Sequence, residues 1–427
     1  MKSIQEPART IPVVEEFDVL VCGGGPAGVA AALAAARMGV KTGLIEMNGC
    51  LGGVWTAGAL SNIIDCQNKP GIMQDILTGL EKRGARTFQE NGTPTRVYDV
   101  EVMKSLLDDM CVQADVRIHL HTRIANAIKD ENNRLSLAII ESKSGREAIS
   151  AKIFIDCTGD GDVAAFAGCG FDMGHPGTGK TQPMSLMAII TGVTASEIRP
   201  FYREAGSGVW AEPKDRLRVE MERGGYSPSY SKPTFFRVRD DLFALMANHE
   251  YDVKGTNARD VTAATIRARR ELHNLIDGLR SLGGVWKDIR IVATGEQIGV
   301  REGRRIHGRY TVSTEDLRMG ARHEDAVCRV NFGIDVHSTE PDKQKGIEKA
   351  AFKSRPYDIP LRALIARDVD GLMMAGQCIS GDFLAHSSYR VTGNAVALGE
   401  AAGKVASKAA ETDRLPHEIP WDEGNTK

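Results

Sequence analysis

The cysteines of this sequence are few and show no paired spacing. The chain contains 8 cysteines in 427 residues, and none of them forms a C-x-x-C pair. This absence argues against a zinc site with regularly spaced ligands and against a dithiol redox centre. Unpaired thiols in a chain of this size are typical of a reducing compartment, which predicts a cytoplasmic location.

Long apolar runs and an excess of one charge sign are also absent. No stretch approaches the roughly 18 apolar residues of a membrane span, and residues 1–16 lack the apolar core of a secretion signal. The formal net charge is -2 at pH 7, which favours neither nucleic acid nor an anionic membrane as a partner. With 42% hydrophobic residues, the composition is that of an ordinary globular protein, and the length favours two domains, consecutive or interleaved.

Residues 17–46 form the most informative segment. Phe17–Cys22 predicts a buried parallel strand, and the glycines that follow fit G-x-G-x-x-G at Gly23, Gly25 and Gly28. An alanine-rich helix and a second strand come next, and Glu46 ends that strand. This order is typical of a dinucleotide-binding βαβ unit, whose glycines allow a tight turn, the approach of a pyrophosphate and close helix–strand packing. A carboxylate rather than an arginine at the strand end favours an unphosphorylated ribose, hence FAD or NAD.

The rest of the chain divides into segments of different character. Between about residues 195 and 290 the sequence is charged and interrupted by Pro and Gly, which indicates a second, cap-like domain. Three of the predicted strands (116–127, 135–142 and 148–150) are expected to form a meander. The predicted helices are 72–84, 99–114, 257–282 and 392–410, and the predicted strands are 116–127, 135–142, 148–150, 152–157, 184–191 and 370–380.

Five segments together resemble the two-dinucleotide-fold flavoproteins, and within them a bacterial family of FAD-dependent oxidoreductases similar in fold to fumarate-reductase flavoproteins and thiazole-synthesising enzymes. The segments are FDVLVCGGGPAGVAAALAAARMG with Glu46, LGGVWTAG, IDCTGDGDVAAFAG, IGVREGRRIHGRYTVSTEDL and LMMAGQCISGDFLAHSSYRVTGNAVALGEAAG. The resemblance implies an α/β fold, in which a Rossmann-like FAD-binding domain with a parallel sheet and a β-meander carries an inserted α+β cap domain. The FAD-binding domain then comprises residues 14–185 and 356–427, and the cap comprises most of 186–355, with 289–312 returning toward the flavin.

The resemblance also implies which residues hold a non-covalent FAD. The turn from Gly23 to Gly28 holds the pyrophosphate, and Glu46 holds the adenosine ribose. Asn394 and Ala395 open a helix whose N-terminus stabilises negative charge on the flavin pyrimidine. In most relatives we expect Arg at the position of Gln377. The expected set is Gly23, Gly25, Pro26, Ala27, Gly28, Glu46, Met47, Gly52, Gly53, Val54, Trp55, Ile124, Thr158, Gly159, Asp160, Gly376, Gln377, Gly393, Asn394 and Ala395.

Five side chains are candidates for the chemistry. His386 is the expected base or acid, and Tyr389 or Arg390 polarises the substrate oxygen. Arg301 and Arg304 are three residues apart and suit a substrate carboxylate or enolate. Two alternatives stay open: the segment 386–390 binds only the flavin or bridges the domains, and the arginines form a solvated charge run.

Two other glycine-rich segments suggest different ligands. Residues 174–181 fit the phosphate-loop pattern G-x-x-x-x-G-K-[ST], but no clean apolar strand precedes them and a helix is not expected after them. Residues 159–164 fit G-x-G-x-x-A, a second fingerprint for NADH, but Asp160 and Asp162 oppose a pyrophosphate. Cys50, Cys66 and His175 stay open as covalent flavin anchors.

The expected function is hydride transfer between flavin N5 and a small polar substrate, either a carboxylate or an alcohol or amine. Two alternatives are a flavin-dependent monooxygenase that uses NAD(P)H and oxygen, and a non-catalytic FAD-holding subunit of a larger complex. The expected partners are the substrate and an electron acceptor that the sequence does not identify. Neither nucleic acid, nor a membrane span, nor a metal is expected, and a homo-oligomer is an open alternative.

Overall fold

The computed structural model of the protein describes residues 3–88, 92–203, 211–341, 346–348 and 350–425. The helices are α1 (Pro26–Arg37), α2 (Ile72–Lys82), α3 (Val100–Gln113), α4 (Asp162–Phe166), α5 (Glu212–Arg223), α6 (Ala258–Ser281), α7 (Thr314–Met319), α8 (Phe383–Tyr389), α9 (Thr392–Thr412) and α10 (Trp421–Gly424).

The strands are short except for two that form the centre of the main sheet. They are β1 (Val13–Cys22), β2 (Thr42–Ile45), β3 (Arg86–Phe88), β4 (Pro94–Tyr98), β5 (Arg117–His119), β6 (Arg123–Lys129), β7 (Leu135–Ser142), β8 (Gly145–Asp156), β9 (Phe171–Asp172), β10 (Met187–Thr191), β11 (Thr234–Arg239), β12 (Leu242–Met246), β13 (Arg290–Thr294), β14 (Arg305–Ile306), β15 (Ala326–Val330), β16 (Val336–His337), β17 (Ile347–Glu348), β18 (Tyr357–Pro360) and β19 (Leu372–Met374).

The main sheet joins a parallel half to an antiparallel meander. Its strand order is β5-β2-β1-β8-β7-β6, and β19 pairs in parallel with the last residues of β8. Strands β5, β2, β1 and β8 run parallel, whereas β6, β7 and β8 pair antiparallel. The predicted Rossmann-like sheet with its β-meander is therefore confirmed.

Strand β8 belongs to both halves of the sheet. Its first residues pair with β7, while the stretch from Phe154 to Asp156 lies between β1 and β19. The separate strands predicted at 148–150 and 152–157 are one strand, because no glycine or proline interrupts the segment after Gly145.

The strand predicted at 116–127 is instead divided in two. His121 has a left-handed backbone conformation with φ 52°, which ends β5 and turns the chain toward β6. Strand β5 therefore joins the parallel half and β6 joins the meander. The strand predicted at 370–380 is likewise shorter, because it ends as β19 before the turn at Gly376, where φ is 90°.

Helices α1 and α9 pack directly on one another across small residues. A Cβ atom added at Gly399 would lie 2.0 Å from the carbonyl oxygen of Ala27, and one added at Gly403 would lie 2.3 Å from that of Ala31. Glycine is therefore needed at both positions because the two backbones approach so closely. This contact fixes the start of α1 relative to α9.

A second sheet and its two helices form the cap. The sheet has the order β11-β12-β10-β13, all antiparallel. One face, with Phe235 and Phe243, packs against α5 and α6 in a hydrophobic core of its own. The other face, with Met187 and Ala244, packs toward Ala59 in the FAD-binding part. The fold is therefore α/β with an inserted α+β cap, while the predicted domain limits stay a prediction.

Candidate functional site

The carboxyl ends of the parallel strands meet at one edge of the main sheet. Gly23 follows β1, Glu46 follows β2, Thr158 lies just after β8, and Gly376 lies just after β19. In an open parallel sheet, ligands bind outside this edge. Residues that are far apart in the sequence are therefore brought to one place by the sheet alone.

The glycines of the first turn have the distinct roles that the fingerprint predicts. Gly23 has φ 103°, and a Cβ there would lie 2.4 Å from the carbonyl oxygen of Cys157. A Cβ on Gly28 would lie 1.7 Å from the carbonyl oxygen of Gly23, so α1 can only start close to β1 if this residue is glycine. A Cβ on Gly25 would meet no atom within 4 Å. The space in front of Gly25 is thus open to a ligand.

The start of helix α1 has free N–H groups that face this space. Its N-cap residue, Gly25, has no side chain to accept a hydrogen bond, and Pro26 follows at the first helical position. Free N–H groups and the positive end of the helix dipole attract phosphate. This arrangement suits a pyrophosphate.

Glu46 is held in place by the same turn. Its Oε2 accepts a bond of 2.7 Å from the Gly24 amide, and its Oε1 accepts bonds from the backbone and side chain of Asn48 at 2.7 and 2.8 Å. Burial raises the pKa of Glu46, and the bonds from Asn48 and Gly24 oppose that shift. Because Oε2 accepts only one bond, it can accept another from a ribose hydroxyl. Asn48 was not predicted, since its role depends on a turn that the fingerprint does not include.

A single cavity of about 870 Å³ begins at this edge and extends under the cap sheet. Its wall includes most of the predicted residues, from both the cofactor and the catalytic sets. The predicted residues on its wall are Gly23, Gly25, Pro26, Ala27, Glu46, Met47, Gly53, Val54, Ile124, Thr158, Gly159, Asp160, Gly376, Gln377, Ala395, Arg301 and Arg390.

The remaining predicted cofactor residues lie behind the wall and hold it in place. The Gly52 amide donates to the Gly24 carbonyl at 2.8 Å, and Trp55 is fully buried with its carbonyl accepting the Tyr98 hydroxyl. Asn394 is also fully buried. The predicted cofactor residues that do not line the cavity are Gly28, Gly52, Trp55, Gly393 and Asn394.

Three of the predicted catalytic side chains do not reach the cavity wall. His386 is fully buried, and neither ring nitrogen has a hydrogen-bond partner. Burial and the charge of Arg390 lower the pKa of His386 well below its usual range, so the ring is neutral. The Tyr389 hydroxyl donates to the carbonyl of Ile379 at 3.0 Å. The two rings lie side by side, one helical turn apart on α8, as the spacing predicts. Both rings are directed into the core and not into the cavity.

Arg304 is held by the turn that follows β8. Its Nη1 donates to the carbonyl of Asp160 at 2.8 Å and to Oδ1 of Asp162 at 2.9 Å. The Arg304 guanidinium is already paired with a carboxylate and therefore stabilises the turn. Of the two arginines, Arg301 alone lines the cavity. Sequence spacing placed Arg301 and Arg304 on one side, but the segment between them is not helical.

The alternative ligands suggested by the other glycine-rich segments do not match the structure. After residues 159–164, α4 has five residues and the next strand, β9, pairs antiparallel with β14 instead of extending a parallel sheet. Residues 174–181 are irregular, and no helix follows Thr181 directly. Neither segment has the strand–turn–helix context that its motif requires. The cavity wall also lacks Cys50, Cys66 and His175.

Arg301 and Arg390 both line the end of the cavity beneath the cap. Arg301 donates to the carbonyl of Pro183 at 2.6 Å, its Nη2 lies 3.7 Å from the Met246 sulfur, and it joins no ion pair among the described residues. Burial and the nearby charge of Arg390 lower the pKa of Arg301 to about 10, so it stays charged at neutral pH. Nη2 of Arg390 donates to the carbonyl of Asp335 at 2.9 Å and lies 3.8 Å from its carboxylate, whereas Nε of Arg390 is buried without a partner. Two guanidinium groups near each other form a strongly anion-attracting end of the cavity.

A group of side chains that the sequence did not indicate lies beside these arginines. Asp335, His337 and Tyr230 line the cavity, and His249 and Tyr251 lie directly behind them. The ring centroids of Tyr230 and His249 are 4.3 Å apart. These residues come from short or irregular segments with no known spacing, so only the tertiary structure reveals them.

Two observations bear on whether the residues fit a bound FAD. At the sheet edge, Gly25 and the uncapped start of α1 leave open space for a pyrophosphate beside Glu46. Across the cavity, the start of α9 has no side-chain cap, and the Thr392 hydroxyl is buried without a partner. A polar ligand at this position can supply the missing hydrogen-bond partner of the Thr392 hydroxyl. The site therefore fits a dinucleotide that contacts the starts of both α1 and α9.

Comparisons with known proteins identify the family of the chain. A family model described as FAD dependent oxidoreductase matches residues 18–426. An alkyl hydroperoxide reductase protein of Pseudomonas putida is 40% identical over 97 residues, which cover 22% of this chain and 16% of that protein. The tRNA uridine 5-carboxymethylaminomethyl modification enzyme MnmG of Aquifex aeolicus is 67% identical over 36 residues, which cover 8% of this chain and 6% of that protein. Each of these two matches is thus confined to a small part of the relative's length.

The fold is also found in solved structures. A triple mutant of the flavin-dependent brominase Bmp2 matches with a TM-score of 0.51 and 13% identity, covering 96% of this chain and 85% of that chain. At this identity the likeness concerns the fold alone. Within the described ranges, no helix is both long and apolar enough to cross a membrane.

Proposed function

The chain belongs to the FAD dependent oxidoreductase family, and we propose that it transfers a hydride between FAD and a small carboxylate substrate held beneath the cap. One observation carries this proposal. A single cavity joins the dinucleotide-type edge at Gly23 and Glu46 to the two arginines beneath the cap sheet. A cofactor at the first end and a substrate at the second would therefore meet in one enclosed space.

When bound, FAD supplies the two-electron chemistry. The N–H groups at the start of α1 hold the pyrophosphate, and Glu46 accepts from the adenosine ribose. The start of α9 donates to the flavin pyrimidine, and its dipole favours negative charge there. Binding without a covalent bond is part of the proposal.

The charges at the cap end favour an anionic substrate. The cationic side chains on the cavity wall include Arg203, Lys214, Arg301 and Arg390, and Asp335 lies beside Arg390. Burial and the charge of Arg203 lower the pKa of Lys214 to about 8, so Lys214 is still mostly charged at neutral pH. A carboxylate binds a guanidinium fork through two parallel hydrogen bonds, which makes Arg301 and Arg390 the preferred anchors.

The cap sheet gives the cavity an apolar side. Met187, Phe236 and Met246 line it, and the Met246 sulfur lies 3.7 Å from Nη2 of Arg301. Apolar walls exclude water from the reacting atoms and strengthen the interaction of the arginines with an anion. We propose that His386, Tyr389 and Arg304 support the wall from behind without touching the substrate.

The test is anaerobic reduction of the FAD-loaded protein by a panel of 2-hydroxy, 2-amino and saturated carboxylates. We expect at least one compound to bleach the visible band of the oxidised flavin. Arg301→Gln is expected to raise its half-saturating concentration at least about tenfold, because a charge-assisted bond is lost. Arg309→Gln, at an exposed position, is the matched control and is expected to behave as wild type.

Two results would contradict the proposal. If no carboxylate reduces the flavin, but NAD(P)H oxidation is coupled to oxygen consumption, the protein is a monooxygenase. If FAD binds and neither reaction occurs, the protein holds FAD without turnover. We further propose a cytoplasmic location, because all eight cysteines are unpaired.

A further inference from the structure

Four side chains form a continuous series from the cavity wall to a partly exposed tyrosine behind it. The Tyr251 oxygen is 3.1 Å from Nδ1 of His249, and Nε2 of His249 is 3.0 Å from Nδ1 of His337. Nε2 of His337 is 3.4 Å from Oδ2 of Asp335. Asp335 and His337 line the cavity, whereas Tyr251 does not and is partly exposed. The series therefore links the cavity to a different surface.

The charge of Asp335 determines where every proton in the series lies. Burial alone would raise the pKa of Asp335, but His337 and the charges of Arg390 and Arg301 hold it well below its usual range. Its ionised carboxylate can only accept, so a neutral His337 carries its proton on Nε2 and accepts at Nδ1. His249 must then also carry its proton on Nε2 and accept from the Tyr251 hydroxyl.

The surroundings keep both imidazoles neutral. His249 and His337 are 3% and 4% exposed, and the buried ring of Tyr230 covers them. The charged groups that face them are Arg301, Arg390 and Asp335. Burial and the charge of Arg301 lower the pKa of His337 to about 4 and that of His249 well below its usual range. Burial raises the pKa of Tyr251 to about 12, with Glu271 adding to the shift.

We propose that Tyr251, His249, His337 and Asp335 form a proton relay that supplies the cavity with the proton consumed when a hydride is added to the substrate. At each link one bond forms as another breaks. The Tyr251 proton moves to Nδ1 of His249, the Nε2 proton of His249 moves to Nδ1 of His337, and the Nε2 proton of His337 moves to Asp335. Asp335 passes a proton to the substrate atom, and a proton from bulk water restores Tyr251. Both imidazoles are then left with their proton on Nδ1, so each must exchange it for a proton on Nε2 before the next delivery.

The order of donors and acceptors gives the relay a direction. In the resting state all three hydrogen-bond donors point toward Asp335, so the series is prepared to deliver a proton to the cavity and not to remove one. Hydride from the reduced flavin and this proton together reduce a C=O, C=N or C=C bond of the substrate. The inference rests on the proposed function, and it adds that substrate reduction is the favoured direction.

The first test needs no substrate. In FAD-loaded protein with ¹⁵N-labelled histidine, NMR at pH 7 is expected to show both His249 and His337 neutral with the proton on Nε2. In Tyr251→Phe, the Nδ1 signal of His249 is expected to shift because its donor is lost. Tyr226→Phe, at a residue 43% exposed, is the matched control and is expected to leave that signal unchanged. A charged ring or a proton on Nδ1 of either residue overturns the relay.

The second test measures proton delivery. Protein whose flavin has been reduced with dithionite is mixed anaerobically with 2-oxo, 2-imino and α,β-unsaturated carboxylates, and flavin reoxidation is followed. We expect Tyr251→Phe to slow the reaction at least about tenfold and to change its solvent deuterium isotope effect, while Tyr226→Phe does neither. Wild-type rates in Tyr251→Phe overturn the relay and leave the proposed function standing. A wild-type protein that no compound reoxidises overturns the relay, and it overturns the proposed function as well if no carboxylate reduces its flavin.

Discussion

The close contact between helices α1 and α9 predicts a large effect from a single methyl group. In Gly399→Ala, the new Cβ would lie 2.0 Å from the Ala27 carbonyl oxygen, whereas such a contact normally requires about 3.3 Å. Both groups belong to backbone that is fixed by its own helix, so the helices must separate by about 1 Å. Ala27 also lines the cavity at the start of α1. The substitution is therefore expected to affect stability and FAD binding together.

The size of the effect follows from two opposing contributions. Overpacking a rigid contact costs about 3 kcal/mol at the upper end of its usual range. Alanine is favoured over glycine inside a helix by about 1 kcal/mol. The net loss of about 2 kcal/mol corresponds to a fall in Tm of roughly 2 °C, because an unfolding entropy of about 2.1 cal/mol/K per residue gives about 1 °C per kcal/mol for 427 residues. Displaced N–H groups at the start of α1 are expected to weaken FAD binding at least about tenfold.

Thermal unfolding and FAD titration of the purified apoprotein measure these effects. Gly177→Ala is the matched control, because its Cβ would meet only the His175 ring at 3.4 Å. The control is expected to change the free energy of unfolding by less than about 0.5 kcal/mol. If Gly399→Ala has the Tm and FAD affinity of the wild type, the reasoning from helix contact is refuted.

Three further predictions concern buried groups. Seven of the eight cysteines are buried, and Cys50 is the exception. Because burial raises the pKa of the thiols and also blocks access to them, a thiol reagent is expected to label only Cys50 in the native protein. Rapid labelling of any other cysteine would contradict the structure. Folding lowers the pKa of His337 from 6.5 to about 4, so on acidification the unfolded chain binds a proton at this residue before the folded protein does. The free energy of unfolding is therefore expected to fall by roughly 3 kcal/mol between pH 6.5 and pH 4. Denaturant titrations over this pH range should show a smaller fall for His337→Gln than for the wild type. Glu302 forms an ion pair with Arg305 at 2.5 Å in the core. Glu302→Ala is therefore expected to lower the free energy of unfolding by about 3–5 kcal/mol in chemical denaturation, because it leaves a buried charge unpaired. The double variant Glu302→Met, Arg305→Leu is expected to recover most of this loss.

The cofactor end of the site could be predicted because its signals are local. The βαβ unit combines a strand, a glycine turn and a helix within one short segment, and each element depends mainly on its own residues. Gly23 and Gly28 are needed by contacts with neighbouring backbone, which any sequence with this turn must make. The family resemblance then supplied distant segments such as that at Gly376.

The substrate end could not be predicted in the same way. His386 had the expected residue type next to a flavin-facing helix, but the rotation of α8 points its ring into the core. His249 and His337 are 88 positions apart and meet only because the cap sheet packs over the FAD-binding part. The division of 116–127 at His121 likewise depends on a single left-handed residue that no local pattern marks.

The position of β19 and α9 has a consequence for synthesis of the protein. Strand β19 pairs with β8 across more than 200 residues, and α9 completes the cavity near the end of the chain. A chain still emerging from the ribosome therefore has the glycine turn but lacks the opposite wall. A site built from the starts of α1 and α9 therefore needs segments more than 350 residues apart in the sequence, and parallel pairing over such distances is slow. Bound FAD would then hold these distant segments together, since a ligand that binds only the folded state adds to its stability.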